Sequence, residues 1–156
     1  MQTFPYILGN ILIVEDNEWD RLVAETLLKK EFNVSCASNP TDAIKAVEEN
    51  PYDIILMDLN LGIHVMDGVE LMQKIKSDPR FHHIKIFAVT AYSENKEDLI
   101  KLGFDELYIK PVIKEEMKEA ILKALNRSQP QINITGSHRN RGSAWQSKKS
   151  YICSQI

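Results

Sequence analysis

The sequence predicts an α/β fold: a doubly wound parallel sheet with helices on both faces, giving a (βα)5 three-layer sandwich. Three observations lead there. Strand-like and helix-like segments alternate five times between residues 9 and 126. The third strand segment, Ile54-Ile55-Leu56-Met57-Asp58, is a continuous apolar run, as a central parallel strand covered on both faces requires. Acidic, hydroxyl and ammonium groups collect at strand ends, and open α/β sheets bind ligands at that edge.

Each element follows from its local pattern. Ile11–Glu15 reads as the first strand. Glu18–Lys30 reads as a helix with Leu22, Val23, Thr26 and Leu27 at inward-facing spacing. Asn33–Ala37 is the second strand. Asn39-Pro40 is a capping residue followed by proline at the first helical position, opening a helix over Thr41–Glu49 with Ala43, Ile44 and Val47 inward. After Ile54–Asp58 comes a helix over Asp67–Ser77, facing in through Val69, Met72 and Ile75 and stopped by Asp78-Pro79. Ile84–Thr90 is the fourth strand, Glu94–Leu102 a helix ended by Gly103, and Glu106–Lys110 a short fifth strand. Lys114–Leu125 closes the series, with Met117, Ile121 and Leu125 at four-residue intervals.

Strand order is not visible locally. The flavodoxin-like order 2-1-3-4-5 sets strands one and three side by side at the switch point, bringing Glu15, Asp16 and Asp58 together. The chemistry favours that order. Three crowded carboxylates repel one another, and the common remedies are protonation or a divalent cation. Thr90 adds a hydroxyl and Lys110 an ammonium. Acid, metal, hydroxyl and ammonium around one aspartate suit the handling of a phosphoryl group.

The 156 residues suffice for one domain with a proper core, and 44% apolar with 26% charged content is that of a soluble globular protein. The net charge of −3 hides an asymmetry: residues 1–126 carry 14 basic and 22 acidic side chains, residues 127–156 five basic and none acidic. The acidic body argues against a nucleic-acid-binding core. Residues 9–126 are therefore expected to form the domain, and 127–156 a basic, polar, flexible tail in which Ile132 and Ile134 alternate as in a short strand. Cys36 is expected to be a small core residue and Cys153 to lie in the tail; neither suggests a disulfide framework, which fits a reducing compartment. No apolar run reaches the roughly 18 residues of a membrane span, and no signal-peptide layout is present, so a cytoplasmic protein with no membrane partner is expected.

Five motifs, in order and at strand ends, carry a resemblance: Ile11-Leu12-Ile13-Val14-Glu15-Asp16-Asn17, Leu56-Met57-Asp58-Leu59-Asn60-Leu61-Gly62, Met66-Asp67-Gly68, Val89-Thr90-Ala91 and Lys110-Pro111. The chain resembles the receiver domains of two-component response regulators. The resemblance implies that Asp58 accepts a phosphoryl group from a phosphohistidine on a histidine kinase or phosphotransfer protein. It implies a Mg²⁺ site made by Asp16 and Asp58 directly, Glu15 through water, and the backbone carbonyl of Asn60. Lys110 and Thr90 would contact the phosphoryl oxygens, the Lys110–Pro111 bond would be cis, and residues 94–125 would meet a downstream protein. A homodimer is left open.

Three departures from the family pattern bear on function. Leu107 stands where the family usually has Tyr or Phe, and the neighbouring Tyr108 should point to the opposite face of its strand. The usual threonine–aromatic switch is thus in question; Tyr92 is a further candidate at the pocket rim. The loop after Asp58 lacks a proline and is two residues longer than the commonest spacing before Asp67-Gly68. Glu15 replaces the commoner aspartate. Two other readings compete: a docking module whose switch is uncoupled, and an aspartyl-phosphate hydrolase, against which Asn60 and the third-strand position of Asp58 both argue. His64, His82, His83 and His138 form no ligand set; His82-His83 reads as a solvated loop, and Trp19 as packing against the first helix.

Overall fold

The computed structural model describes residues 7–62, 66–91 and 95–128. Its strands are β1 (Asn10–Val14), β2 (Asn33–Ala37), β3 (Ile54–Asp58), β4 (Lys85–Thr90) and β5 (Glu106–Ile109), and its helices α1 (Glu18–Leu28), α2 (Pro40–Glu49), α3 (Gly68–Lys76), α4 (Lys96–Leu102) and α5 (Lys114–Ser128). All strand pairings are parallel, in the order β2-β1-β3-β4-β5. The expected α/β sandwich and its strand order are what the chain forms.

Helix starts are chemically specified. Asn17 accepts from the Trp19 and Asp20 amides, Asn39 from Asp42 ahead of Pro40, and Asn95 from Glu97. Asp67 and Glu70 form a reciprocal capping box at α3. Such caps satisfy amides that have no partner within the helix. They also refine the sequence-based boundaries: Asp67 caps α3 rather than opening it, and Asn95 places the start of α4 at Lys96.

Two apolar clusters flank the sheet. One joins Leu12, Val14, Ile55, Met57, Ile86 and Ala88 to α2, α3 and α4; the other joins Ile11, Ile13, Ile54, Leu56 and Phe87 to α1 and α5. Alternate residues of β1 and β3 feed opposite clusters, so every residue of β3 is buried, in keeping with its unbroken apolar sequence.

Some expectations are overturned. On α1, Leu22, Val23 and Thr26 are exposed, and the helix packs through Ala24, Leu27 and Leu28. Trp19 is 74% exposed and does not pack against the helix. Cys36 is exposed at the edge strand rather than buried in the core, since β2 has a neighbour on one side only. His82 and His83 are exposed, as a solvated loop should be. His64, Tyr92, Glu94, Ile132, Ile134, His138 and Cys153 lie outside the described residues.

Candidate functional site

Parallel register builds the site. Val14 pairs with Met57, so Glu15 and Asp16 leave β1 beside Asp58 at the end of β3. Asp58 pairs with Val89, and Thr90 with Ile109, which sets Thr90 and Lys110 at the same edge. The Lys110 amide donates to the Thr90 carbonyl at 2.8 Å, and the Lys110–Pro111 bond is cis.

One carboxylate oxygen from each of Glu15, Asp16 and Asp58 lies within 4.8 Å of the others. Glu15 and Asp58 are buried, whereas Asp16 is exposed. Lys110 Nζ reaches into the group, donating to Glu15 Oε2 at 2.6 Å and to Asp58 Oδ2 at 2.7 Å. The second oxygen of each buried acid takes a backbone amide: Asn17 donates to Glu15 Oε1 at 3.2 Å and Asn60 to Asp58 Oδ1 at 2.9 Å. Thr90 is 1% exposed at the adjoining strand end.

The charges do not balance locally. Burial, with the Asp58 charge adding to it, lifts the Glu15 carboxyl to about 7, although the Lys110 hydrogen bond pulls the other way. Burial alone would lower the Lys110 ammonium, but hydrogen bonds to Asp58, Glu15 and Asp20 outweigh it and hold the group above its ordinary value. Four carboxylates, Glu15, Asp16, Asp20 and Asp58, outnumber the nearby cations Lys110 and Arg21 and leave a net negative site. Hard oxygen donors, two of them buried, together with a carbonyl-bearing loop, fit a Mg²⁺-sized cation.

The sequence-predicted residues Glu15, Asp16, Asp58, Thr90 and Lys110 thus meet at one edge, with Asn60 exposed beside them. Leu107 packs into the apolar cluster beneath α3 and α4, while Tyr108 faces the other way and packs against Phe87, the rings tilted at 45° with centroids 5.9 Å apart. Tyr108 therefore does not stand in for the missing aromatic, as strand alternation requires.

Sequence reasoning missed Asp20 and Arg21, and gave Gly62 no role beyond its place in a motif. Asp20 Oδ2 accepts from Lys110 Nζ at 3.0 Å. Arg21 donates to the carbonyls of Glu15 and Asp16 at 2.8 and 3.2 Å, tying down the acidic loop. Gly62 has a φ of +69°, and a Cβ there would lie 2.6 Å from Asp16 Oδ2. A signal for Asp20 was present: it is an acid in the first turn of the helix that follows the Glu15-Asp16 strand end, just after the capping Asn17. A groove of about 430 Å³ runs from Asp58 and Lys110 between α1 and α5, lined by Val23, Leu27, Val112 and Met117.

Comparison with known proteins agrees with this geometry. The response regulator receiver domain family matches residues 11–122. The chain is 34% identical over 126 residues to hybrid signal transduction histidine kinase A of Dictyostelium discoideum, an alignment covering 76% of this chain and 6% of that one. It is 28% identical to chemotaxis protein CheY of Halobacterium salinarum, covering 74% of this chain and 95% of the relative. Against three sensor or hybrid kinases it spans only 6%, 8% and 13% of their length. Among solved structures, the receiver domain of a sensor histidine kinase from Pseudomonas aeruginosa PAO1, with a magnesium ion coordinated in its active site cleft, superposes with a TM-score of 0.68 at 26% identity, covering 76% of this chain and 98% of that one. With the strand order, the acidic strand ends and the match over residues 11–122 all in accord, the chain belongs to the response regulator receiver domain family.

Proposed function

We propose that residues 9–126 are a receiver that takes a phosphoryl group onto Asp58 from a phosphohistidine of a histidine kinase or phosphotransfer protein. The observation that carries this reading is the meeting of Glu15, Asp16, Asp58 and Lys110 Nζ at one sheet edge. An Asp58 carboxylate oxygen attacks phosphorus, the phosphorus–nitrogen bond breaks, and its electron pair returns to the imidazole. The product is an acyl phosphate.

This chain's residues supply positioning and charge, the main needs of phosphoryl transfer. Asp16 and Asp58 would hold Mg²⁺ directly, Glu15 through water, and the Asn60 carbonyl would complete the protein's share. When bound, Mg²⁺ offsets negative charge on the phosphoryl oxygens. The Asn60 amide on Asp58 Oδ1 keeps the acceptor carboxylate oriented. Lys110 donates to a phosphoryl oxygen from the side it now uses for Asp58, and Thr90 hydrogen-bonds another after transfer.

Partner surfaces follow from exposure. Val23 on α1 lines the groove that ends at Asp58 and is exposed, as are Trp19 and Leu22 on the same helix, which suits an apolar contact with the phosphodonor protein. Residues 94–125 are the surface offered to a downstream protein. The basic segment 127–156 carries five basic and no acidic side chains, and α5 takes in its first two residues, to Ser128. Among the described residues no helix is long and apolar enough to cross a membrane.

Intact mass after incubation with Mg²⁺ and acetyl phosphate tests the reading. A single metal-dependent phosphoryl adduct is expected on the wild-type chain and none on Asp58→Asn. An adduct that persists in the variant defeats the assignment of Asp58.

The packing of Leu107 favours a second reading, a docking module in which phosphorylation leaves the output surface unchanged. Leu107 sits in an apolar cluster and has no hydroxyl to exchange between core and solvent. Amide NMR spectra of the phosphorylated chain separate the two: shifts confined to the Asp58 pocket support docking, and shifts across residues 96–125 support a switch.

A further inference from the structure

Lys110 is held by a carboxylate that belongs to no strand end. Asp20 lies on the first turn of α1, and its Oδ2 is 3.0 Å from Lys110 Nζ. Glu15 and Asp58 take the other two contacts, at 2.6 and 2.7 Å. An ammonium has three N–H donors, so these carboxylates use all of them. The three acceptors differ in depth. The Asp20 side chain is 49% exposed, against 7% for Glu15 and 8% for Asp58.

Asp20 is fixed there by its surroundings. Its amide donates to the Asn17 side chain at 3.1 Å, and the next residue, Arg21, grips the carbonyls of Glu15 and Asp16. The first turn of α1 therefore holds the acidic loop and Lys110 together.

We propose that Asp20 is a positioning residue for Lys110, keeping the ammonium at the pocket mouth so that an arriving phosphoryl oxygen meets a donor already in place. This rests on the phosphoacceptor reading of the site. During transfer the other two contacts are disturbed: an Asp58 oxygen becomes the bridging oxygen of an acyl phosphate and the carboxylate charge is lost, and Glu15 would serve a water on bound Mg²⁺. Asp20 touches neither reacting atom and keeps its hold throughout. A lysine chain has much rotamer freedom to lose, and an anchor removes that freedom before the reaction begins. The Asp20 charge also repels an anionic donor, an effect of opposite sign. At a half-exposed position water and salt screen that repulsion, which leaves the hydrogen bond as the larger effect.

The test compares the full chain with Asp20→Ala and Asp20→Asn through three readouts. These are the phosphorylation rate with acetyl phosphate at saturating Mg²⁺, the Mg²⁺ affinity by calorimetry, and the ¹H–¹⁵N signal of the Lys110 ammonium without any phosphodonor. In Asp20→Ala the rate falls by roughly five-fold or more, Mg²⁺ affinity stays within about two-fold, and the ammonium signal broadens. Asp20→Asn keeps an acceptor oxygen and recovers most of both rate and signal. A rate in Asp20→Ala at or above wild type, or an ammonium signal unchanged by that substitution, overturns the proposal. If the wild-type chain takes no phosphoryl group, the phosphoacceptor reading fails, and the ammonium signal alone then decides whether Asp20 anchors Lys110.

Discussion

Lys110 Nζ donates to Asp58 Oδ2 at 2.7 Å, joining the end of β5 to the end of β3 across the intervening β4. The ammonium thereby sits on the carboxylate that a metal ion would also need. Two cations drawn to one acidic group compete, unless each finds separate oxygens.

Replacing Lys110 by Met removes that competitor. Mg²⁺ affinity is expected to rise several-fold while phosphorylation by acetyl phosphate slows by about 10²-fold, because charge on the phosphoryl oxygens loses its donor. Calorimetry and intact mass measure the two separately. A weaker Mg²⁺ affinity in Lys110→Met would show that Lys110 organises the acids rather than rivalling the metal.

Glu15 makes stability depend on pH when Mg²⁺ is chelated. Its carboxyl titrates near 7 in the fold, against an ordinary value of 4.5. A raised folded value means the folded state holds the proton more tightly, so this contribution is full below pH 4.5 and is lost as pH rises through 7. In EDTA, Glu15→Gln should stabilise the protein at pH 8 by up to about 3 kcal/mol relative to wild type, with little gain at pH 4. Urea denaturation at the two pH values checks this. Equal effects at both would contradict the shift.

Gly62 holds the loop against Asp16. Its φ of +69° disfavours any side chain, and an added Cβ would meet Asp16 Oδ2 at 2.6 Å. Gly62→Ala is expected to cost about 1–2 kcal/mol in stability. It should also lower Mg²⁺ affinity by roughly ten-fold, since Asp16 must swing away from the other two acids. Metal affinity equal to wild type would mean that Asp16 has another usable rotamer.

Gly68 is tighter still. A Cβ there would lie 2.2 Å from the Asp58 carbonyl oxygen and 2.8 Å from Leu59 Cα, both backbone atoms that cannot rotate away. Gly68→Ala is expected to destabilise the fold by about 1–3 kcal/mol or more and to displace Asp58. Thermal denaturation with acetyl phosphate labelling measures both. A variant that melts and labels like wild type would show that the loop after β3 shifts at little cost.

Much of this molecule was legible in particular residues. The uninterrupted Ile54–Asp58 run identified a central strand, and every one of its residues is buried. Asn39-Pro40 marked a helix start because capping chemistry is local. Glu15, Asp16, Asp58, Thr90 and Lys110 were legible because strand ends on one edge of a parallel sheet must lie together once the order is fixed. Leu107 and Tyr108 separated as strand alternation predicts, one into each apolar cluster.

By itself, then, the sequence determined the period of each element, the strand order favoured by its acids, and the site residues that a strand end delivers. Tertiary structure alone decided how α1 lies. Apolar residues occupy more than one face of that helix, and only packing against α5 and the sheet leaves Leu22 and Val23 outside while burying Leu28. The same packing brings Asp20 to Lys110, 90 residues away in the chain, and Arg21 to the acidic loop. The physical reason is range. Strand alternation and capping act over a few residues, whereas the contacts of a helix face depend on where distant elements come to rest.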